Sequence, residues 1–276
     1  MGRRRRRRHP RARPAAVPAR RATGDPGIVD SHAHLESCDQ DVADLVAEAA
    51  GEGVERIVTI GMGEDSSRRA VALTERFPGV FAAVGVHPHD AGSFTAADPV
   101  WMRELSAHPK VVAIGECGFD HHYDHASHED QERAFRAQIA LAREVGLPLV
   151  IHTREATEDT MRVLGEDAAG LPVILHCFSI PERLDDAVER GYMLSLAGPV
   201  TYKRSHDLQR AAALAPLDRL LVETDSPYLA PEPRRGRPNR PANVAHTLRF
   251  VAALRDMPAE DLDAATSANA ARIFGW

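Results

Sequence analysis

The sequence predicts a single-domain (β/α)₈ TIM barrel of the α/β class. Three observations carry this. Short apolar or β-branched runs alternate with longer stretches of helical periodicity, there are eight such runs, and the residues able to do chemistry gather where the runs end. In order, the runs are GIVDSHAH (27–34), RIVTI (56–60), VFAAVGVH (80–87), VVAIGE (111–116), LPLVIH (147–152), PVILH (172–176), GYMLSL (191–196) and RLLVETD (219–225). Between them, DVADLVAEAA (41–50) and ERAFRAQIALAREVG (132–146) place apolar residues at helical spacing and stop at Gly or Pro breakers. Eight units from residue 25 to 276 match the roughly 250 residues that such a barrel needs. A doubly wound open sheet is the competing architecture. Against it, no Gly-x-Gly-x-x-Gly follows the first run and no Gly-x-x-x-x-Gly-Lys occurs.

Of 276 residues, 34 are Lys or Arg and 40 Asp or Glu, but the charge is unevenly spread. Residues 1–24 hold 10 arginines and no acidic residue, so residues 25–276 carry 24 basic against 40 acidic side chains, a net −16. The Arg/Ala/Pro composition of 1–24 predicts a disordered tail. Two readings of the tail stand: a nucleic-acid arm that neutralises phosphate, or upstream sequence translated from a wrongly chosen start codon, since only Lys110 and Lys203 are lysine, a bias of GC-rich coding sequence. The whole chain is 43% hydrophobic, which makes residues 25–276 neither fibrous nor disordered in class. No run approaches the roughly 18 apolar residues of a membrane span, and the early arginines lead into Pro and Ala rather than a signal-peptide core. Cys38, Cys117 and Cys177 form neither a disulfide framework nor a Cys-x-x-Cys pair. A cytoplasmic protein is expected, with no membrane and no obligate protein partner.

The first run ends in Asp30-Ser31-His32-Ala33-His34, which puts His32 and His34 on one face of an extended segment. The fourth ends at Glu116, the fifth at His152, the sixth at His176 and the eighth at Asp225. Barrel active sites lie at the C-terminal ends of the strands, so four imidazoles and two carboxylates are expected on one rim. Six other histidines, His9, His108, His125, His128, His206 and His246, fall in tail, loop or helix and carry no signal. Imidazole and carboxylate ligands suit Zn, Mn, Ni or Fe, and carboxylates with water suit Mg or Mn; six groups exceed the three of a mononuclear catalytic zinc, so two divalent metal ions sharing a carboxylate are expected, drawn from Mg, Mn, Zn or Ni. Lys110 and Lys203 are placed too far from the rim to bridge metals as a carboxylated lysine, which leaves Glu116. Hydrolysis of a phosphodiester, ester or amide follows as the reaction class.

These residues lie in motifs that resemble the TatD family of metal-dependent deoxyribonucleases, within the amidohydrolase-like barrels: DSHAHL (30–35), VGVHPHD (84–90), GECGFD (115–120), IHTREA (151–156), LHCFS (175–179), ETDSPYLAP (223–231), the RG-x-x-N-x-P pattern at 235–241 and NAARIFG (269–275). The resemblance implies that His32, His34, Glu116 and Asp225 hold one metal and Glu116, His152 and His176 the other. It also implies that Asp225 orients or deprotonates the attacking water, and that Arg154 and Arg235 approach substrate phosphate; solvated loop charges are the alternative for both arginines. His87 and His89 close the third run and are expected to line the cleft or donate to phosphate rather than ligate metal. Cys117 and Ile180 depart from the family pattern. The first is expected to be an inert small core residue or an oxidation-sensitive thiol, the second to narrow the cleft.

The function so implied is a 3′–5′ exonuclease on single-stranded DNA. The alternative is a two-metal hydrolase of small esters, amides or aminoacyl esters, because such barrels change substrate through their loops. The acidic body argues against a broad nucleic-acid footprint. Phe119, Tyr123, Phe178, Tyr202 and Tyr228 all follow strand ends and are candidates to stack a base.

Overall fold

The computed structural model describes residues 27–123 and 125–276; the tail predicted over 1–24 lies outside the described residues. Eight parallel strands run in sequence order around one sheet: β1 (Ile28–Ala33), β2 (Val54–Ile60), β3 (Val80–Val84), β4 (Val111–Asp120), β5 (Leu149–Arg154), β6 (Val173–Leu175), β7 (Met193–Leu196) and β8 (Leu220–Val222). Between and after them come α1 (Val42–Gly51), α2 (Glu64–Arg76), α3 (Asp98–Ser106), α4 (His128–Val145), α5 (Thr157–Asp167), α6 (Leu184–Glu189), α7 (His206–Leu214), α8 (Val244–Leu254) and α9 (Ala259–Phe274). Among the described residues no helix is long and apolar enough to cross a membrane.

The sheet closes on itself through polar contacts rather than a full ladder. Ala33 bridges Ser226, the Asp225 N–H donates to the His32 carbonyl at 2.9 Å, and the His34 N–H donates to the Ser226 carbonyl at 2.7 Å. Buried Asp30 adds two bonds, accepting from the Thr224 N–H at 2.8 Å and the Thr224 hydroxyl at 2.6 Å. The seam therefore runs between the two segments that carry His32, His34 and Asp225.

Two apolar layers make the core. Inside the barrel every strand contributes, through Val29, Val58, Ala83, Ala113, Val150, Ile174, Met193 and Leu221, and Phe274 with Ala270 of α9 joins that layer. The larger layer lies between strands and helices, where Phe135 and Ile139 of α4 and Leu45 of α1 are fully buried. The closing NAARIFG motif has a physical role here: the Asn269 amide donates to the Leu217 and Leu220 carbonyls at 2.9 Å each and ties α9 to the start of β8. Helix α4 begins four residues before the expected start, because Ser127 caps it by accepting from the Asp130 N–H at 3.1 Å.

The fourth strand corrects the sequence expectation. Glu116 does not end it; the strand runs on to Asp120, with a register shift against β5 between Ile114 and Cys117. Gly115 within the shift and Gly118 just after it have φ of 134° and 136°, so the segment expected to end at Glu116 is a bent strand that offers both Glu116 and Asp120 to the rim. A Cβ on Gly118 would lie 2.1 Å from the His152 carbonyl oxygen. Gly118→Ala is therefore expected to cost about 2 kcal/mol or more in a urea melt and to lower turnover by displacing β5. An unchanged midpoint would refute the close approach as the reason for glycine.

Candidate metal centre

All six expected ligands converge above the inner apolar layer, and Glu116 stands at their centre with 2% of its surface exposed. Its Oε1 lies 2.8 Å from His152 Nδ1 and 2.8 Å from His176 Nε2. Its Oε2 lies 3.3 Å from His32 Nε2 and 3.6 Å from His34 Nε2. Asp225 approaches the same side as Oε2, 3.4 Å from His34 Nε2 and 3.7 Å from His32 Nε2. The His32 and His176 rings stack at 3.9 Å, so the two sides share one wall. Among the described residues, three sets have ligand atoms within 4.8 Å of one another: His32, His34 and Glu116; His32, His176 and Asp225; His87, Glu116 and His152.

The electrostatics call for positive charge. Burial opposes charge on Glu116, yet the surrounding imidazoles, His176 first, hold its carboxyl well below the ordinary value. Burial likewise opposes protonation of His176, His152 and His34, and carboxylates outweigh it in each: Glu116 for His176, Asp120 and Glu116 for His152, Asp225 for His34. His32 has its pKa lowered, by burial and then by His176. The Glu116 Oε2, His32 Nδ1 and His34 Nδ1 atoms are buried without a hydrogen-bond partner. Anionic oxygens and imidazole nitrogens facing one another at about 3 Å, with an unsatisfied carboxylate oxygen among them, fit a divalent cation better than a plain hydrogen-bond network.

His87 is buried and its Nε2 is 3.6 Å from Glu116 Oε1. Its Nδ1 accepts the His89 N–H at 3.1 Å, which leaves the ring proton on Nε2. Burial lowers its pKa well below the ordinary imidazole value, so this ring is neutral and turns an N–H, not a lone pair, toward the cage. Cation ligation by His87 does not fit that geometry.

Residues 29–275 match the family described as TatD related DNase. The chain belongs to the TatD family. It is 42% identical to an uncharacterized metal-dependent hydrolase, YabD, of Bacillus subtilis over 90% of this chain and 98% of that one. It is 38% identical to a protein of Musicola paradisiaca named 3′-5′ ssDNA/RNA exonuclease TatD, over 91% and 97%. Among solved structures, the TatD homologue YjjV of Escherichia coli superposes with a TM-score of 0.84 at 27% identity, covering 90% of this chain and 98% of that one. The chain is a TatD-family metal-dependent hydrolase.

Around the cage lie residues that reading strand ends missed. Asp120 accepts from His152 Nε2 at 3.1 Å and from His89 Nε2 at 2.9 Å. Glu223, fully buried, stands 3.3 Å from His176 Nδ1 and accepts the Cys177 N–H at 2.7 Å. Both lie inside motifs of the TatD pattern, GECGFD and ETDSP, which was the available signal. His125, set aside on sequence as a loop residue, packs its ring 4.6 Å from His89, and His128 stacks on His121 at 3.7 Å.

At the mouth, two exposed arginines of the TatD motifs rest on tyrosines. Arg154 Cζ is 4.7 Å from the Tyr123 ring centre and Arg235 Cζ is 4.2 Å from that of Tyr202. The loop bearing Arg235 is tied to the β8 exit by Asn239, whose amide donates to the Thr224 carbonyl at 2.8 Å. Tyr123 and Tyr228 are exposed, whereas Phe119 and Phe178 are buried to 1% and 3%, which removes both phenylalanines from the stacking candidates. Cys117 is fully buried beside Val150, and burial pushes its thiol far above the ordinary value, so it is an inert core residue. Lys110 donates to the Thr74, Phe77 and Pro78 carbonyls at 2.8–3.1 Å and serves the end of α2, not the rim.

Proposed function

We propose that this protein is a 3′–5′ exonuclease on single-stranded DNA that holds two divalent metal ions, Mg, Mn, Zn or Ni, about Glu116. One observation carries the reading: the two oxygens of Glu116 face different imidazole sets, Oε1 toward His152 and His176, Oε2 toward His32 and His34. A carboxylate so placed fits the role of a bridge, with Asp225 completing the His32–His34 side. The relative named as a ssDNA/RNA exonuclease supports the polymer substrate.

Bound divalent ions would supply Lewis acidity toward a phosphoryl oxygen and would make a bound water more acidic. The chain's own groups do the rest. Asp225, 8% exposed and beside His34, is open enough to reach the attacking water and take its proton, and the His34 bond holds its carboxyl below the ordinary value against the effect of burial. The His87 Nε2–H faces the cage and would donate to a non-bridging oxygen or to the departing oxygen. Arg154 and Arg235, each stacked on a tyrosine, would take flanking phosphates, and exposed Tyr228, its ring 5.9 Å from that of His34, would stack on the terminal base. Few such contacts are needed for a short strand end, which is compatible with the net −16 of residues 25–276.

The test is a panel of 3′- and 5′-labelled single- and double-stranded DNA, RNA and aminoacyl esters, offered to chelator-stripped and metal-reconstituted protein. Stepwise loss from the 3′ end of single-stranded DNA, absent in stripped protein and restored by Mg²⁺ or Mn²⁺, is expected. Turnover of the aminoacyl ester alone would replace the nuclease reading with the small-ester one.

A further inference from the structure

Asp120 ends β4 with its carboxylate saturated by donors. Oδ1 accepts the backbone N–H groups of His122 and Tyr123, both at 3.0 Å, which closes the turn after the strand. Oδ2 faces His89 Nε2 at 2.9 Å and His152 Nε2 at 3.1 Å. The backbone at this position is clamped from α4: the Asp120 N–H donates to Gln131 Oε1 at 2.9 Å, and Gln131 Nε2 donates back to the Asp120 carbonyl at 3.1 Å. The carboxylate can therefore neither swing away nor turn over without breaking several bonds at once.

An ionised carboxylate only accepts, so both imidazoles must meet it with an N–H. For His152 this places a proton on Nε2, so Nδ1, 2.8 Å from Glu116 Oε1, is the nitrogen left to give its lone pair to an ion. His176 is arranged the other way round. Its Nδ1 points at Glu223 Oε1, which already accepts the Cys177 N–H, and its Nε2 faces the same Glu116 oxygen at 2.8 Å. Neighbouring strands thus offer opposite ring nitrogens to one point.

We propose that Asp120 is a positioning residue for the metal centre: it fixes the ring of His152 so that Nδ1, and not Nε2, is the atom presented to the ion, while Glu223 fixes His176 to present Nε2. The proposal rests on the reading of His152 and His176 as ligands. The other tautomer, with its proton on Nδ1, would leave the Nε2 lone pair against Asp120 and an N–H against the cation. His89 shares the Asp120 oxygen and ties the loop after β3 to the same anchor.

The experiment uses the full chain labelled with ¹⁵N-histidine, stripped and reloaded with Zn²⁺, and long-range ¹H–¹⁵N spectra that separate protonated from metal-bound ring nitrogens. Signals are assigned by their loss in His152→Gln and His176→Gln. In the unsubstituted protein His152 is expected to carry its proton on Nε2 and zinc on Nδ1, with His176 reversed. Metal titration of stripped Asp120→Ala should show affinity about 10- to 100-fold weaker. Asp120→Asn, whose amide oxygen still accepts, should recover part of the loss. Zinc on Nε2 of His152, or an Asp120→Ala protein with unchanged spectrum and affinity, overturns the positioning role while leaving His152 a ligand. If neither nitrogen of His152 is metal-bound, the ligand reading falls and this inference falls with it. Should Asp120→Ala fail to fold through loss of its Oδ1 bonds, the spectrum of the unsubstituted protein decides alone.

Discussion

Glu116→Gln is expected to abolish hydrolysis, with turnover at saturating Mn²⁺ falling by about 10³-fold or more, and to weaken binding of both ions at once. The factor corresponds to about 4 kcal/mol of lost transition-state stabilisation, within the several kcal/mol that a bridged metal pair supplies. The amide keeps the volume of the side chain, so the apolar layer beneath remains filled. It removes the negative charge that does most to hold His176, and after Asp120 helps to hold His152, above the ordinary imidazole pKa. The imidazoles then shed protons rather than stay charged and unpaired, so a folded, metal-poor protein is the expected product. Calorimetric metal titration alongside turnover separates this from a ligand that serves one ion. His34→Ala should spare part of the binding because His34 faces only the Oε2 side. Wild-type turnover by Glu116→Gln, or loss of a single ion from it, would refute the bridge.

The barrel was legible because its evidence is periodic: eight runs, each long enough to cross the sheet, alternate with amphipathic segments, and all eight appear in sequence order. The six cage residues were legible for a related reason. A strand that ends at a rim forces its last polar residue toward the same point as its neighbours do, so spacing along the chain carries three-dimensional information. The limits follow from the same logic. The fourth run reads as ending at Glu116, whereas Gly115 and Gly118 bend the strand and carry it on to Asp120, so the carboxylate behind His152 was hidden behind an apparent end. Glu223 precedes Asp225 by two residues and faces inward to His176; nothing in a linear pattern separates a residue that supports a ligand from the ligand itself. Burial of Phe119 and Phe178 and the ring packing of His125 depend on neighbouring elements and have no local signature. The proposed parts of Asp225 as base and of Arg154 and Arg235 as phosphate contacts came from resemblance to TatD motifs rather than from spacing.

Asp225→Asn is the second large effect, and its geometry makes the substitution unusually clean. Asp225 has φ of 57°, a left-handed conformation that asparagine adopts at least as readily as aspartate, whereas alanine there would be strained. Its backbone closes the barrel seam, donating to the His32 carbonyl at 2.9 Å and accepting the Tyr228 N–H at 2.8 Å, and both bonds survive in asparagine. The amide oxygen can still stand near His34, so the fold and much of the metal affinity should persist. What the variant cannot do is take a proton. If Asp225 is the base, kcat should fall by about 10²- to 10⁴-fold with KM for single-stranded DNA nearly unchanged, the pattern of a lost general base. A fall confined to KM would make Asp225 a substrate-binding group. Equal loss of metal binding and turnover would make it a ligand alone, and proton removal would then have to be assigned to another group at the cage, with the His87 ring, whose Nε2 already carries a proton, excluded from that task.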